Sequence, residues 1–345
     1  MEMETKSITV KLVALPDSTV SPLSGLYEAL NSFELLCGAD DTVPAVSPFQ
    51  VEIVAPLQRF TTGATGLPLA AHRTIAEVDH ADIVIISSLM VAGGAWGAGR
   101  YPEVVDWLRR MHTQGAVLCT SCSGVLLLAE TGLLDGHEAT VHWAYADTFR
   151  HNFPEVQLRI EETLVATGGR QDFVMSGAAS SWHDLVLYLI VRYVGPAAAQ
   201  AVTKFMLFQW HADGQAPFAT FTEPRDHSDA VVLSVQNWLK NHYAVANPVE
   251  EMVRHSGLVD RSFKRRFTKS TGYTAISYVQ HLRVEQAKHR LEQSDTPVDD
   301  VSWEVGYEDP AFFRRLFKRI TGITPSAYRR KFKIPNLPLG GAGTV

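Results

Sequence analysis

Two stretches of this 345-residue chain combine residue types at spacings that could do chemistry. In AVLCTSCSGVLLLAETGLLDGHEATVHW (116–143), a strand-like apolar run meets Cys-Ser-Gly and then a helical run. A strand that turns sharply into a helix presents the residue at the turn, here Cys122, at the carboxyl edge of a sheet, as a nucleophile elbow does. Backbone N–H groups at a helix start favour a thiolate and can bind an anion. Acyl transfer also needs a base beside the sulfur, and the residue that follows is Ser123, with His137 and His142 further downstream. Single histidines at such separations are more often structural. Cys119-Thr-Ser-Cys122 has dithiol spacing, but Cys119 reads as inside the strand and not at a helix start. Three cysteines suit no disulfide framework, and no His/Cys cluster has zinc spacing. This stretch is therefore expected to hold no catalytic residue, no metal and no cofactor.

The second stretch occurs twice. FKRRFTKSTGYT (263–274) returns as FRRLFKRITGIT (313–324), with Phe263/Phe313, Phe267/Phe317 and Gly272/Gly322 coinciding. Phenylalanines at i and i+4 share one helix face and mark it as core. Lys264 and Arg265, like Arg314 and Arg315, fall off that face and point outward. Upstream, NPVEEMVRHSG and TPVDDVSWEVG each supply a short amphipathic helix, and GLVD or GYED turns the chain. Helix, glycine-containing turn and basic helix make a helix-turn-helix, and the chain has two. Between them TAISYVQHLRVEQAKHRLEQ (274–293) reads as one long helix able to hold the pair apart.

The elements that position these residues differ between the halves. Residues 1–195 alternate strand runs (7–16, 49–56, 81–88, 115–121, 163–169) with helices at 102–114, 123–132 and 180–195. Continuous apolar strands alternating with helices predict an α/β domain, a parallel sheet flanked by helices in flavodoxin-like fashion. A helix from Pro196 and a Gly/Pro/Thr/Asp stretch to residue 228 read as helix and linker, residues 229–333 as all-α with two helix-turn-helix units, and 334–345 as a disordered tail. Charge divides likewise: the net is -6 for the chain, -12 for 1–227 and +6 for 228–345. The start carries no secretory pattern, and no apolar run is long enough to span a bilayer, so a cytoplasmic protein is expected.

Residues 229–333 resemble the DNA-binding domain of the AraC/XylS transcription regulators, through RVEQAKHRLEQSDTPVDDVSWEVGYEDPAFFRRLFKRITGITPSAYRR (283–330). The resemblance implies two recognition helices entering successive major grooves of double-stranded DNA. It assigns base reading to Arg261, Lys264 and Arg265 in the first helix, and to Pro310, Ala311, Arg314 and Arg315 in the second. Arg329, Arg330, Lys331 and Lys333 become phosphate candidates. Residues 8–195 resemble the PfpI-like class I amidotransferase superfamily, in the branch fused to AraC-type domains. There Glu28 matches the acidic residue that faces the elbow cysteine. The chain departs from the superfamily's peptidases in having Ser123 where they have histidine, and Ser88-Leu89 where a glycine pair is common. Together these imply a homodimeric transcription regulator whose front domain senses a small-molecule effector in a pocket of Glu28, Cys122, Ser123 and His142. The alternative is a thiol-dependent hydrolase or deglycase, or a redox sensor, fused to a DNA-binding domain.

Overall fold

Four consecutive residues of one strand, Ile83–Ile86, are fully buried, which explains why the sheet reads as unbroken apolar runs. The computed structural model describes residues 7–38, 40–62 and 66–334. The tail expected to be disordered thus lies, from residue 335, outside the described residues. The chain divides after Gln215 into two compact units.

The first unit holds a seven-stranded sheet of β1 (Ile8–Val13), β2 (Phe49–Ala55), β3 (Arg73–Thr74), β4 (Ile83–Ile86), β5 (Val117–Ser121), β6 (Leu164–Thr167) and β7 (Phe173–Ser176). Their order is β6-β7-β5-β4-β1-β2-β3. Every neighbouring pair is parallel except β6 with β7. Alternate residues of β4 serve opposite faces. Val84 and Ile86 pack with Trp107 and Leu108 of α2 (Pro102–Thr113), whereas Ile83 and Ile85 pack with Leu23 and Leu26 of α1 (Val20–Leu30). The first face also receives Val125–Leu128 of α3 (Gly124–Ala129), and the second receives α4 (Trp182–Tyr193) and α5 (Pro196–Met206).

Two features differ from the reading of the sequence. β7 is not separable in the sequence, because FVMS is three apolar residues and a serine shortly before the buried helix α4; it inserts beside β5 and makes β6 an antiparallel edge. The helix from Pro196, read as lying beyond a domain of residues 8–195, is part of the first core through Ala198, Ala199, Ala201 and Val202.

The second unit contains α6 (Ala230–His242), α7 (Pro248–Ser256), α8 (Asp260–Thr271), α9 (Ala275–Gln293), α10 (Val298–Glu304), α11 (Pro310–Thr321) and α12 (Pro325–Phe332). Phe263 and Phe267 of α8 are fully buried with Val235, Leu239, Met252 and Tyr278, and Phe313 and Phe317 of α11 with Val301, Leu291 and Tyr328. Each such side chain contributes about 1.5–3 kcal/mol of transfer free energy. The N-terminal part of α9 serves the first of these cores and its C-terminal part the second. The repeated Thr-Gly-x-Thr has a mechanical cause. Gly272 (φ +75°) and Gly322 (φ +80°) end α8 and α11 in the left-handed conformation. Thr274 and Thr324 then cap the following helices, accepting from Ser277 N–H and Ala327 N–H at 3.2 Å each.

Candidate nucleic-acid interface and thiol elbow

Arg261, Lys264 and Arg265 on α8, and Ala311, Arg314 and Arg315 on α11, are exposed, and Pro310 is half-buried at the first position of α11. Asp309 caps α11 by accepting from Ala311 N–H at 2.8 Å. The basic residues are not equivalent. Arg261, Arg265 and Arg315 have no ion pair among the described residues, whereas Lys264 pairs with Asp260 at 2.8 Å and Arg314 pairs with Asp299. Arg266, next in sequence, is structural: it pairs with Asp229, which caps α6 through Val231 and Val232 N–H and is held below the usual carboxylate range chiefly by that guanidinium. Among the phosphate candidates, Arg329 donates to the Thr296 carbonyl and Lys333 pairs with Asp295, so both fasten α12, while Arg330 is exposed.

What holds the helix pair in place was not visible in the sequence. Arg283 of α9 is only 6% exposed and donates to three carbonyls, Tyr243 (2.7 Å), Val245 (2.8 Å) and Gly306 (2.8 Å). The first two lie between α6 and α7, and the third is the turn glycine of the second helix-turn-helix. One guanidinium therefore ties both halves of the interface to the helix between them.

In the first unit Cys122 stands at the turn from β5 into α3 with φ +55°, a left-handed conformation that a residue with a side chain seldom adopts. Its N–H donates to the Ser176 carbonyl at 2.7 Å. Tight packing behind it forces the turn: a Cβ on Gly124 would stand 2.5 Å from the Ile86 carbonyl oxygen. The Ser123 hydroxyl clasps the loop after β4, bonding the Leu89 carbonyl and accepting from Leu89 N–H at 2.9 Å, with Ser88 Oγ at 3.3 Å.

The sulfur of this elbow is buried. Cys122 is 5% exposed, and burial pushes its thiol up, overcoming the opposing donors of Ser88 and Ser123. The expectation that helix-start N–H groups would lower it is therefore overturned by burial. Cys119 is fully buried and pushed up to about 12 by the same cause. His142 is half-buried and uses Nδ1 to accept from Ala144 N–H at 3.1 Å, and burial lowers its ring pKa below the usual histidine range. Glu28 lies on the exposed side of α1 and makes no hydrogen bond to Cys122, contrary to the expected facing pair. A neighbour missed in the sequence is Tyr145, near enough that a Cys122 thiolate would add to the burial raising its phenol. Among the described residues no group of three or more His, Cys, Asp or Glu could hold a metal ion.

Comparison with known proteins agrees with both halves. Residues 24–173 match the DJ-1/PfpI family, and residues 252–331 match a helix-turn-helix domain. The HTH-type transcriptional regulator CdhR of Pseudomonas aeruginosa is 29% identical over 229 residues, 66% of this chain and 67% of that protein. The HTH-type transcriptional regulator GlxA of Rhizobium meliloti is 25% identical over 295 residues, 82% of this chain and 86% of that protein. The crystal structure of a putative transcriptional regulator protein from Vibrio parahaemolyticus shares the fold over 58% of this chain and all of its own, at 20% identity and a TM-score of 0.50.

Proposed function

We propose that this chain, whose residues 24–173 match the DJ-1/PfpI family and 252–331 a helix-turn-helix domain, is a sequence-specific DNA-binding transcription regulator of AraC type that responds to a small metabolite through a non-catalytic front domain. The observation that carries this reading is the repeated recognition helix, with Arg265 and Arg315 outside any ion pair among the described residues and one long helix between the copies. Arginine offers bidentate donors to guanine O6 and N7 in the major groove. Arg261 adds a third guanidinium with no ion pair among the described residues. Lys264 and Arg314 act after leaving their carboxylates, and Pro310 and Ala311 offer apolar contact only, so the second helix depends on Arg315 and on phosphate contacts.

Sites selected from random duplexes test this. Arg265→Ala and Arg315→Ala should each cost about 1–3 kcal/mol on the selected site, roughly 5- to 150-fold in Kd. Affinity for random DNA should change less, and equal losses on both would refute base reading.

Effector recognition is assigned to the elbow rim around Cys122, Ser123 and His142, with Glu28 exposed on α1. The elbow backbone also suits a thiol-dependent hydrolase or deglycase. The raised thiol and the serine in place of an adjacent base argue against that, and turnover of glyoxal adducts or amides that disappears in Cys122→Ala would reverse the choice. A homodimer in the cytoplasm is the proposed working form, checked by sedimentation and by cell fractionation. Among the described residues no helix is long and apolar enough to cross a membrane.

A further inference from the structure

Gln215 is the last residue of the first unit and is 1% exposed. Its carboxamide nitrogen donates within reach of Thr140 Oγ1 (3.1 Å), the Val141 carbonyl (3.0 Å) and the Glu162 carbonyl (3.0 Å). Its carboxamide oxygen accepts from Trp143 N–H at 3.1 Å. These bonds pin the segment 140–143, which carries His142 and leads to Tyr145. The same amide also packs against Gly177, next to the residue that bonds the elbow. Ser176 takes the N–H of Cys122, and a Cβ on the next residue, Gly177, would stand 2.1 Å from Gln215 Nε2 and 2.7 Å from Thr140 Oγ1.

Beyond Gln215 the chain is soon bound to the helical unit. Phe218 packs on Phe332 with ring centroids 5.1 Å apart, Lys288 Nζ donates to the Ala219 carbonyl, and Phe221 stacks on His281 of α9 at 5.4 Å. Only Ala216 and Pro217 separate the last anchor on one unit from the first on the other. Within the stretch read as a linker, the chain is thus anchored at Gln215 and again from Phe218.

We propose that Gln215 is the positioning residue through which the state of the elbow reaches the DNA-binding half. The proposal rests on the reading of the elbow as the sensor. An occupant or altered side chain that displaces 140–143 or the 176–177 turn must break bonds to a buried carboxamide, two of whose partners, Thr140 and Val141, are themselves fully buried. Restoring them requires residue 215 to move, and a two-residue connection transmits that movement where a long flexible one would absorb it.

A double-mutant cycle on the full chain tests this, using Cys122→Met as a permanent occupant of the elbow and fluorescence anisotropy on the selected DNA site as the readout. Cys122→Met should shift Kd by about fivefold or more, the lower end of ordinary allosteric coupling, and Gln215→Leu should abolish that shift. An equal shift in both backgrounds overturns the role of Gln215 while leaving the sensor reading intact. No shift in either background overturns both. Should Gln215→Leu fail to fold, Gln215→Glu serves in its place, since it keeps an acceptor for Trp143 N–H and removes the donors.

Discussion

Replacing Arg283 with methionine removes the guanidinium and keeps most of the apolar stem. Three carbonyls, at Tyr243, Val245 and Gly306, lose their donor, and Tyr307 loses a cation 4.9 Å from its ring centroid. An orphaned buried acceptor costs about 1–3 kcal/mol. Burial alone already disfavours the charge of Arg283, so its removal returns part of the loss. A net destabilisation of about 3 kcal/mol follows from these opposing effects. For a unit of this size that corresponds to a fall in Tm of roughly 10 °C, readable by scanning calorimetry of the full chain. Because the arginine ties the two helix-turn-helix units together, a second effect is expected on DNA. The native protein should discriminate against two base pairs inserted between the half-sites, and Arg283→Met, measured well below its Tm, should tolerate them. A fall in Tm under about 3 °C together with unchanged discrimination would refute the assignment.

Iodoacetamide at pH 7.5 should modify the half-exposed Cys37 and leave Cys122 unmodified, because Cys122 is shielded from the reagent and burial pushes its thiol up; mass spectrometry showing the reverse would mean that the elbow carries a reactive thiolate. Gly124→Ala should destabilise the first unit by about 2 kcal/mol or prevent its folding, since the new Cβ meets the Ile86 and Ser87 carbonyl oxygens at 2.5 and 2.7 Å; a wild-type melting curve would contradict the packing. Asp299→Asn should change stability by less than about 1 kcal/mol, as its pair with Arg314 is half-exposed. It should also tighten DNA binding at low salt by freeing that guanidinium, so weaker binding would show that the ion pair orients Arg314.

The legible parts of the molecule were those fixed by local periodicity. Buried strands announced themselves as apolar runs, and the Phe263/Phe267 and Phe313/Phe317 pairs marked inner faces and so, by exclusion, the outward arginines. Glu28 was legible too, had helical spacing been given priority over resemblance: Leu23, Leu26 and Leu30 define the buried stripe of α1 and put Glu28 on its other side. Arg283 and Gln215 were not legible. Their partners lie tens of residues away in sequence, and nothing local distinguishes an inward arginine on a basic-looking helix or a buried glutamine in a Gly/Pro-rich stretch. For Cys122 the helix-start donors could be read from the sequence, but the burial that outweighs them arises only when the sheet, α3 and the 88–89 loop come together.

A footprint on the selected DNA site, combining hydroxyl-radical cleavage with guanine methylation interference, tests the paired-helix reading most directly. Two protected major-groove segments about one helical turn apart, on the same face of the duplex, are expected for each chain. Arg265→Ala should erase guanine interference in one segment, and Arg315→Ala in the other. A single protected segment, or loss of the same guanines in both variants, would contradict the reading that the basic helix is repeated to occupy successive grooves.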